Sequence, residues 1–328
     1  MERKLVSVII PCFNAEMWLR EAIDSCLQQT YPEIEIVVID DGSTDNSLEI
    51  IKSYGDKLIW ESGSNRGGNY ARNRGLALSS GEYIQYLDAD DYILPEKIER
   101  EVRFLEETRA DVVYGDWRYK RHLPDGTSVL EDIKVCGPKE DFLESLLADD
   151  RWVPPVALLF TRAAVANISG WDESLKVGQD RDFFIALALN RAKFLYQSGC
   201  YSIYRRPPQL TVTSLSKVRW LENHCLVLEK AERKLSQLGP LSTRYRKALA
   251  TSYFFMAKDY KAIDHSQYLG LLEKTILLDP KFEGRGGVGY QLVQRLFGLR
   301  LAEKIQDFKQ RLFAKDLQKI NYKCNKQA

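Results

Sequence analysis

The chain has 328 residues, 45% of them hydrophobic, and 47 Lys/Arg balance 46 Asp/Glu to a net charge of +1. That is ample for a real core, in one large domain or two smaller ones. No apolar run approaches the roughly 20 residues of a membrane span, and six cysteines without a CxxC pair fit no zinc site.

The cysteines, Cys12, Cys26, Cys136, Cys200, Cys225 and Cys324, read as reduced thiols of a cytoplasmic protein, since no secretory signal stands at the N-terminus. The charge is uneven. Residues 1–215 carry 25 Lys/Arg and 35 Asp/Glu, a balance of −10, whereas residues 216–328 carry 22 and 11, a balance of +11. A basic tail of that kind suits an anionic partner such as a membrane surface, or packing on the acidic half.

In chain order, "VSVII" (6–10) is a continuous apolar run, as expected of a strand buried on both faces. "AEMWLREAIDSCLQQ" follows with Trp18, Leu19, Ala22, Ile23, Cys26 and Leu27 on one helical stripe. "EIVVI" (35–39) is a second buried strand. Ser43, Thr44 and Asp45 offer N-caps for a helix through Ser47–Tyr54. A short strand "KLIW" (57–60), a helix "GNYARNRGLALS" and a strand "EYIQYL" come next. Pro95 suits the first turn of a helix carrying Ile98, Val102 and Leu105, and "DVVY" (111–114) closes the series. Alternation at this pitch predicts an α/β fold, with a mostly parallel sheet between helices.

From 116 to 215 the pattern loosens. "WVPPVALLFTRAAV" reads as a strand and a short helix, "DFFIALALNRA" as a helix, and "QSGCYSIYRRPPQLTVTSLSK" as a strand running into a Pro-rich loop. Past 216 the chain turns helical and basic, which predicts a domain boundary there. Two helical stretches, from Tyr245 and Tyr268, hint at a repeat. Residues 290–315 read as one amphipathic basic helix. Leu292, Leu296, Phe297, Leu301, Ile305, Phe308 and Leu312 form its apolar side, for packing or for a peripheral position on a membrane.

The polar residues gather where strands end. The first strand leads to Asn14 and Glu16, the second to Asp40 and Asp41, the third to "NRGGNYARN" and the fourth to "DAD". In open α/β sheets ligands sit outside the carboxyl ends of the strands, so four loops distant in sequence are expected along one rim. Asp88, Asp90 and Asp91 repel one another there and raise each other's proton affinity. A hard cation, helix capping or a wet turn are the alternatives, and capping accounts for one of Asp88 and Asp90 but not both. Mg²⁺ or Mn²⁺ takes oxygen ligands and keeps room for substrate phosphates. Gly67 and Gly68 let backbone approach a nucleotide, and Arg72 can meet a base or a phosphate oxygen.

"VSVIIPCFNAE", "VVIDDGSTDNS", "NRGGNYARNRGL" and "YLDADD" together resemble the nucleotide-sugar-binding half of the family-2 glycosyltransferases, inverting enzymes of GT-A fold. "ISGWDESLKVGQDRDFF" is similar to their acceptor half, and the likeness covers about residues 5–215. It implies a catalytic domain over 1–215, with a donor half at 1–115 and an acceptor half at 116–215, ahead of a helical region at 216–328. It implies that Pro11 and Asp41 contact the nucleobase, that Asp88 lies near the ribose and metal, and that Asp90 ligates Mn²⁺ or Mg²⁺. Phe13, Asn14, Glu16, Asn65, Gly67 and Arg72 complete the expected donor-nucleotide set. Asp180 is implied as the catalytic base, although Gln179 stands where the family often has Glu. Asp182 remains the other candidate, or a helix cap.

The activity so implied is transfer from a nucleoside-diphosphate sugar, UDP foremost, to a hydroxyl of a glycan, lipid-linked or protein acceptor in polysaccharide, lipopolysaccharide or glycoconjugate synthesis. The same residues also suit a non-catalytic nucleotide-sugar sensor or scaffold. A phosphatase with DxD on its first strand is excluded by "PCFN" in that place. No nucleic-acid recognition motif accompanies the basic tail. "GRGGVG" (284–289) lacks the preceding strand that a dinucleotide site needs. His122, His224 and His265 lack metal spacing. Arg205 and Arg206 are read as contacts of a loop closing over the diphosphate, or as plain surface.

Overall fold

The computed structural model describes residues 3–123, 125–150, 152–206, 216–284 and 286–306. It divides into two compact units, Met1–Pro240 and Leu241–Ala328. The first opens with β1 (Val6–Cys12), α1 (Leu19–Leu27), β2 (Ile34–Asp40), α2 (Ser47–Lys52), β3 (Ile59–Ser62), α3 (Gly68–Leu78) and β4 (Tyr83–Tyr86). The strand and helix expectations for this stretch hold to within a few residues at their ends. The loop before α2 is ordered differently from the predicted cap. Asn46 occupies the cap position without a side-chain capping bond, and Asp45 accepts instead from the Ser47 N–H at 2.9 Å.

The unit continues through β5 (Tyr92–Ile93), α4 (Lys97–Thr108), β6 (Val112–His122), β7 (Ser128–Leu130), α5 (Phe142–Ala148), β8 (Leu158–Thr161), α6 (Arg162–Ala166), α7 (Gln179–Leu189), β9 (Phe194–Arg206) and α8 (Lys217–Leu238). Pro95 lies two residues ahead of α4 rather than in its first turn.

Among the described residues the strands form one sheet in the order β3-β2-β1-β4-β8-β6-β9-β5, with β7 added on β6. The β3-β2-β1-β4 half is wholly parallel. Beyond β4 the sheet is mixed: β8 runs antiparallel to both neighbours, while β6 and β9 pair in parallel. This is the α/β architecture of the sequence reading, with antiparallel insertions in its second half.

The alternation of a strand explains the two-sided core. Val6, Val8 and Ile10 of β1 join Ile36 and Val38 against α1 and α4 on one face. Ile9 joins Ile84, Tyr86, Phe160, Trp171 and Phe183 on the other. Successive side chains point to opposite faces of a strand, so an unbroken apolar run is what burial on both faces requires.

The first unit extends past the boundary expected at 216. Helix α8 is basic on its outside, but Leu221, His224, Val227, Leu228, Ala231 and Leu235 are buried along one side, and the helix packs on α7. Net charge reports the exposed face and is blind to that stripe.

The second unit contains α9 (Thr243–Tyr260), α10 (His265–Leu278) and α11 (Val288–Phe297). Its buried Glu303 accepts from Lys258 at 2.8 Å, Tyr268 at 3.1 Å and Tyr290 at 2.6 Å. The single helix expected over 290–315 is interrupted. Gly298 takes φ 84° and ends α11, and a second helical stretch follows over 299–306. That left-handed backbone suits glycine. Leu292, Leu296 and Phe297 are exposed on α11 at 57%, 64% and 65%, whereas Leu299 and Ala302 beyond the break are buried. Phe308 and Leu312 lie outside the described residues.

Candidate active site

A cavity of about 1010 Å³ opens in the first unit along the strand ends. Of the expected residues, Phe13, Asp41, Asn65, Gly67, Arg72, Asp88, Asp180, Arg205 and Arg206 line it. Pro11, Asn14, Glu16 and Asp90 are not among its lining residues.

The reason is visible for two of these four. Asn14 Oδ1 accepts from the Thr44 N–H at 2.8 Å, and Glu16 Oε2 accepts from the Asn46 N–H at 3.0 Å. In return the Asn14 N–H donates to Ser43 Oγ and the Glu16 N–H to Asp45 Oδ2, each at 3.0 Å. These side chains lock the loop after β1 to the loop after β2. Their bonds satisfy backbone donors that would otherwise be orphaned.

Asp41 is buried and shapes its neighbour loop. Its two oxygens accept from the Arg66 and Gly67 N–H groups, each at 2.7 Å. Gly67 then turns with φ 102° into the first turn of α3, a backbone conformation that side chains rarely adopt. Each Asp41 oxygen keeps a second lone pair for a ligand.

Arg72 reaches from α3 to Asp88, with Nη2 at 2.6 Å from Oδ1, and its guanidinium lies 4.7 Å over the Trp171 ring. It therefore neutralises one of the three clustered aspartates, and its buried Nε has no partner. Arg205 is a correction to the loop reading. It is buried, gives Nη2 to Glu21 at 2.5 Å and Nε to the Asp90 carbonyl at 2.6 Å, while its N–H donates to Asp91 at 2.8 Å. Those bonds hold the acidic turn from behind. Arg206 is exposed, and its guanidinium lies 3.7 Å over the Tyr119 ring. The loop that follows, 207–215, lies outside the described residues.

The acidic turn lacks enough positive charge. Burial, and then the charge of Asp88, pushes the Asp90 carboxyl up to about 6. Burial, then Asp90 and Asp88, raises Asp91 well above the usual carboxylate range. Among the described residues no three His, Cys, Asp or Glu side chains are grouped to hold a metal. A Mg²⁺ or Mn²⁺ site of one or two carboxylates completed by substrate phosphates needs no such cage. Asp88 lines the cavity and Asp90, two residues on, is crowded by it, and this pair of carboxylates fits that donor set.

Asp180 stands in the first turn of α7 and lines the cavity. The Trp152 indole N–H donates to its Oδ2, and the Arg181 N–H donates to its Oδ1 at 2.9 Å. Asp182 points elsewhere: it is buried and accepts from Lys230 at 2.7 Å.

Sequence reasoning missed the aromatic wall. Trp117, Tyr119, Trp152 and Tyr204 pack edge to face, with ring centroids 4.6 to 6.0 Å apart. Burial, followed by the charges of Asp91, Asp88, Asp90 and Asp180, holds the Tyr204 phenol far above its ordinary range. One ring thus feels both the acidic turn and the proposed base. The only signal in the sequence was the density of aromatic residues in "GDWRY", "RWVPP" and "YSIYRR".

Residues 7–151 match the family model "Glycosyl transferase family 2". Within that span the chain carries a family-2 glycosyltransferase domain. An uncharacterized glycosyltransferase of Rickettsia typhi is 46% identical over 207 residues, covering 60% of this chain and 60% of that protein. A poly(ribitol-phosphate) beta-glucosyltransferase of Bacillus spizizenii is 31% identical over 199 residues, which is 54% of this chain and 31% of that one. The chain thus spans less than two thirds of the length of these relatives. Among solved structures, residues 1–349 of TarS from S. aureus with UDP-GlcNAc superpose with a TM-score of 0.64. The match covers 84% of this chain and 82% of that chain, at 23% identity. The GT-A fold expected for the family-2 glycosyltransferase domain is the fold of the structure.

Proposed function

We propose that this chain transfers a sugar from a nucleoside-diphosphate sugar, with UDP as the nucleotide, to a hydroxyl of a glycan, lipid-linked or protein acceptor, with inversion. The observation that carries this reading is the one cavity that Asp41, Gly67, Arg72 and Asp88 line together with Asp180. UDP as the nucleotide draws on the UDP-GlcNAc bound by the TarS neighbour.

In this reading the 65–68 loop, shaped by Asp41, receives the nucleotide. Asp88 and Asp90 would hold Mg²⁺ or Mn²⁺, which when bound supplies positive charge against the leaving diphosphate. Asp180 accepts the proton of the acceptor hydroxyl as the new C–O bond forms, since a hydroxyl is a poor nucleophile without a positioned base. The aromatic wall excludes water beside the reacting atoms and offers ring faces to a sugar.

The exposed α11 face supports a peripheral membrane contact. Val288, Leu292 and Leu296 follow at every fourth position with Arg295 beside them. Residues 241–328 carry 17 Lys/Arg against 8 Asp/Glu. An apolar stripe within a basic unit suits an anionic lipid surface.

Calorimetry with UDP, GDP and dTDP, with and without Mn²⁺, tests the donor site. The reading expects UDP to bind, more tightly with Mn²⁺, and Asp90→Ala to lose the metal-dependent part. Equal affinity with and without Mn²⁺ rejects the metal role. Binding of a UDP-sugar without release of UDP on adding acceptor favours a scaffold instead.

A further inference from the structure

The Trp152 side chain is not core filling. It is 41% exposed at the cavity, yet its orientation is fixed. One edge meets Trp117 at 5.5 Å and 85°, another meets Tyr204 at 5.2 Å and 89°. Both partners belong to the β6–β9 ladder, where Trp117 pairs with Ser202 and Arg118 with Ile203. The ladder shifts register on either side of Asp116, and from Trp117 to Arg121 it pairs residue by residue with Ser202 to Arg206, so both rings stand on paired strand backbone. The indole N–H is thereby aimed at Asp180 Oδ2.

We propose that Trp152 is a positioning residue for Asp180: its indole N–H fixes one carboxylate oxygen while the Arg181 N–H fixes the other. A carboxylate on a free Cβ–Cγ bond rotates, and rotation spreads its lone pairs over many directions. Held at both oxygens, it presents its remaining lone pairs in fixed directions toward the cavity. The ladder thus sets the base through one intermediary ring. A misplacement of about 1 Å at a reacting group can cost on the order of 10²-fold in rate. The inference rests on the reading of Asp180 as the base.

The alternative role for an exposed tryptophan at a sugar site is a stacking platform. The two roles separate kinetically, because a platform acts on binding and a positioned base acts on turnover. Trp152→Phe keeps an aromatic ring and removes the N–H. Trp152→His restores a ring N–H. Asp180→Asn is made in parallel. The probe is release of UDP from UDP-GlcNAc and UDP-glucose by the full chain, with water as the acceptor. A second readout needs no turnover: the indole ¹⁵N–¹H resonance of Trp152, assigned by its loss in Trp152→Phe.

The expected result is a kcat about 10- to 100-fold lower in Trp152→Phe. Its KM and its thermal midpoint stay unchanged, and Trp152→His recovers part of the loss. The Trp152 indole resonance should also move in Asp180→Asn. A raised KM with unchanged kcat in Trp152→Phe overturns the proposal in favour of a platform. So does an indole resonance indifferent to Asp180→Asn. Unchanged kinetics in Trp152→Phe beside an inactive Asp180→Asn overturns the positioning role alone. Full turnover in Asp180→Asn overturns the base reading itself.

Discussion

Lys230 of α8 closes on two aspartates at once, Asp182 at 2.7 Å and Asp172 at 2.8 Å. The bond separates two carboxylates that stand two residues apart on α7. Asp182 is consumed by a structural ion pair, and Asp180 is left at the cavity. Asp180→Asn is expected to keep UDP binding and lose about 10²–10⁴-fold in transfer. Asp182→Asn is expected to keep transfer and lower the thermal midpoint, because it strips a buried partner from Lys230. Side-by-side calorimetry, turnover and melting of the two variants check this, and the reverse pattern would exchange their roles.

The same lysine makes acid stability depend on Asp172. Burial acts to raise this carboxyl, but the bonds from Lys230 and Ser174 outweigh it and bring it down to about 2 from 3.8. A folded value below the unfolded one adds stability that is present above about pH 4 and lost as pH falls toward 2. After a discount for partial exposure this amounts to about 1–2 kcal/mol. Asp172→Asn should be less stable than the parent at pH 7, and the gap should close by pH 2. Urea unfolding at pH 7 and pH 3 measures it, and a gap that stays constant refutes the linkage.

Under the sheet, Lys97 is fully buried and donates to Glu101 at 2.5 Å and to Gln85 at 2.6 Å. Burial draws the Lys97 ammonium down and pushes the Glu101 carboxyl up. Removing one partner strands the other. Lys97→Ala is expected to cost about 3–5 kcal/mol, whereas Lys97→Met with Glu101→Leu should stay much nearer the parent. Denaturant midpoints of both variants decide it; equal losses would mean the pair is not coupled.

For the second unit, flotation with phosphatidylserine vesicles should carry the parent chain upward. Leu292→Glu with Leu296→Glu should leave it at the bottom of the gradient. Both changes lie on exposed positions of α11, so folding should be unaffected. A parent that never floats ends the membrane contact.

Much of the parallel half of the sheet was legible because each of its elements repeats one local rule. Runs such as "VSVII" and "EIVVI" must be buried on both faces, and the loops after them must meet at one rim. What the alternation could not say was which polar residues at that rim face inward. Asn14 and Glu16 have the same chemistry as ligand-binding groups, and only the fold reveals that they join two loops. Arg205 was misread for a similar reason: its partners, Glu21 and Asp90, lie 184 and 115 residues away. The aromatic wall was hidden because edge-to-face contacts across β6, β9 and the 152 loop have no sequence period. Charge counts see only the outer face of helix α8 and not its buried stripe.

Strands β6 and β9 run side by side for most of their length, from Val112 with Phe194 to Arg121 with Arg206. Tyr119, Trp117 and Tyr204 are therefore mounted on a braced two-stranded arm and not on a pliable loop. Tyr119 and Tyr204 line the cavity, so swapping those two rings for larger or smaller ones should reshape its wall while the backbone holds its course. That makes the arm a natural place to reshape the cavity by design, with little need to rebuild the chain around it.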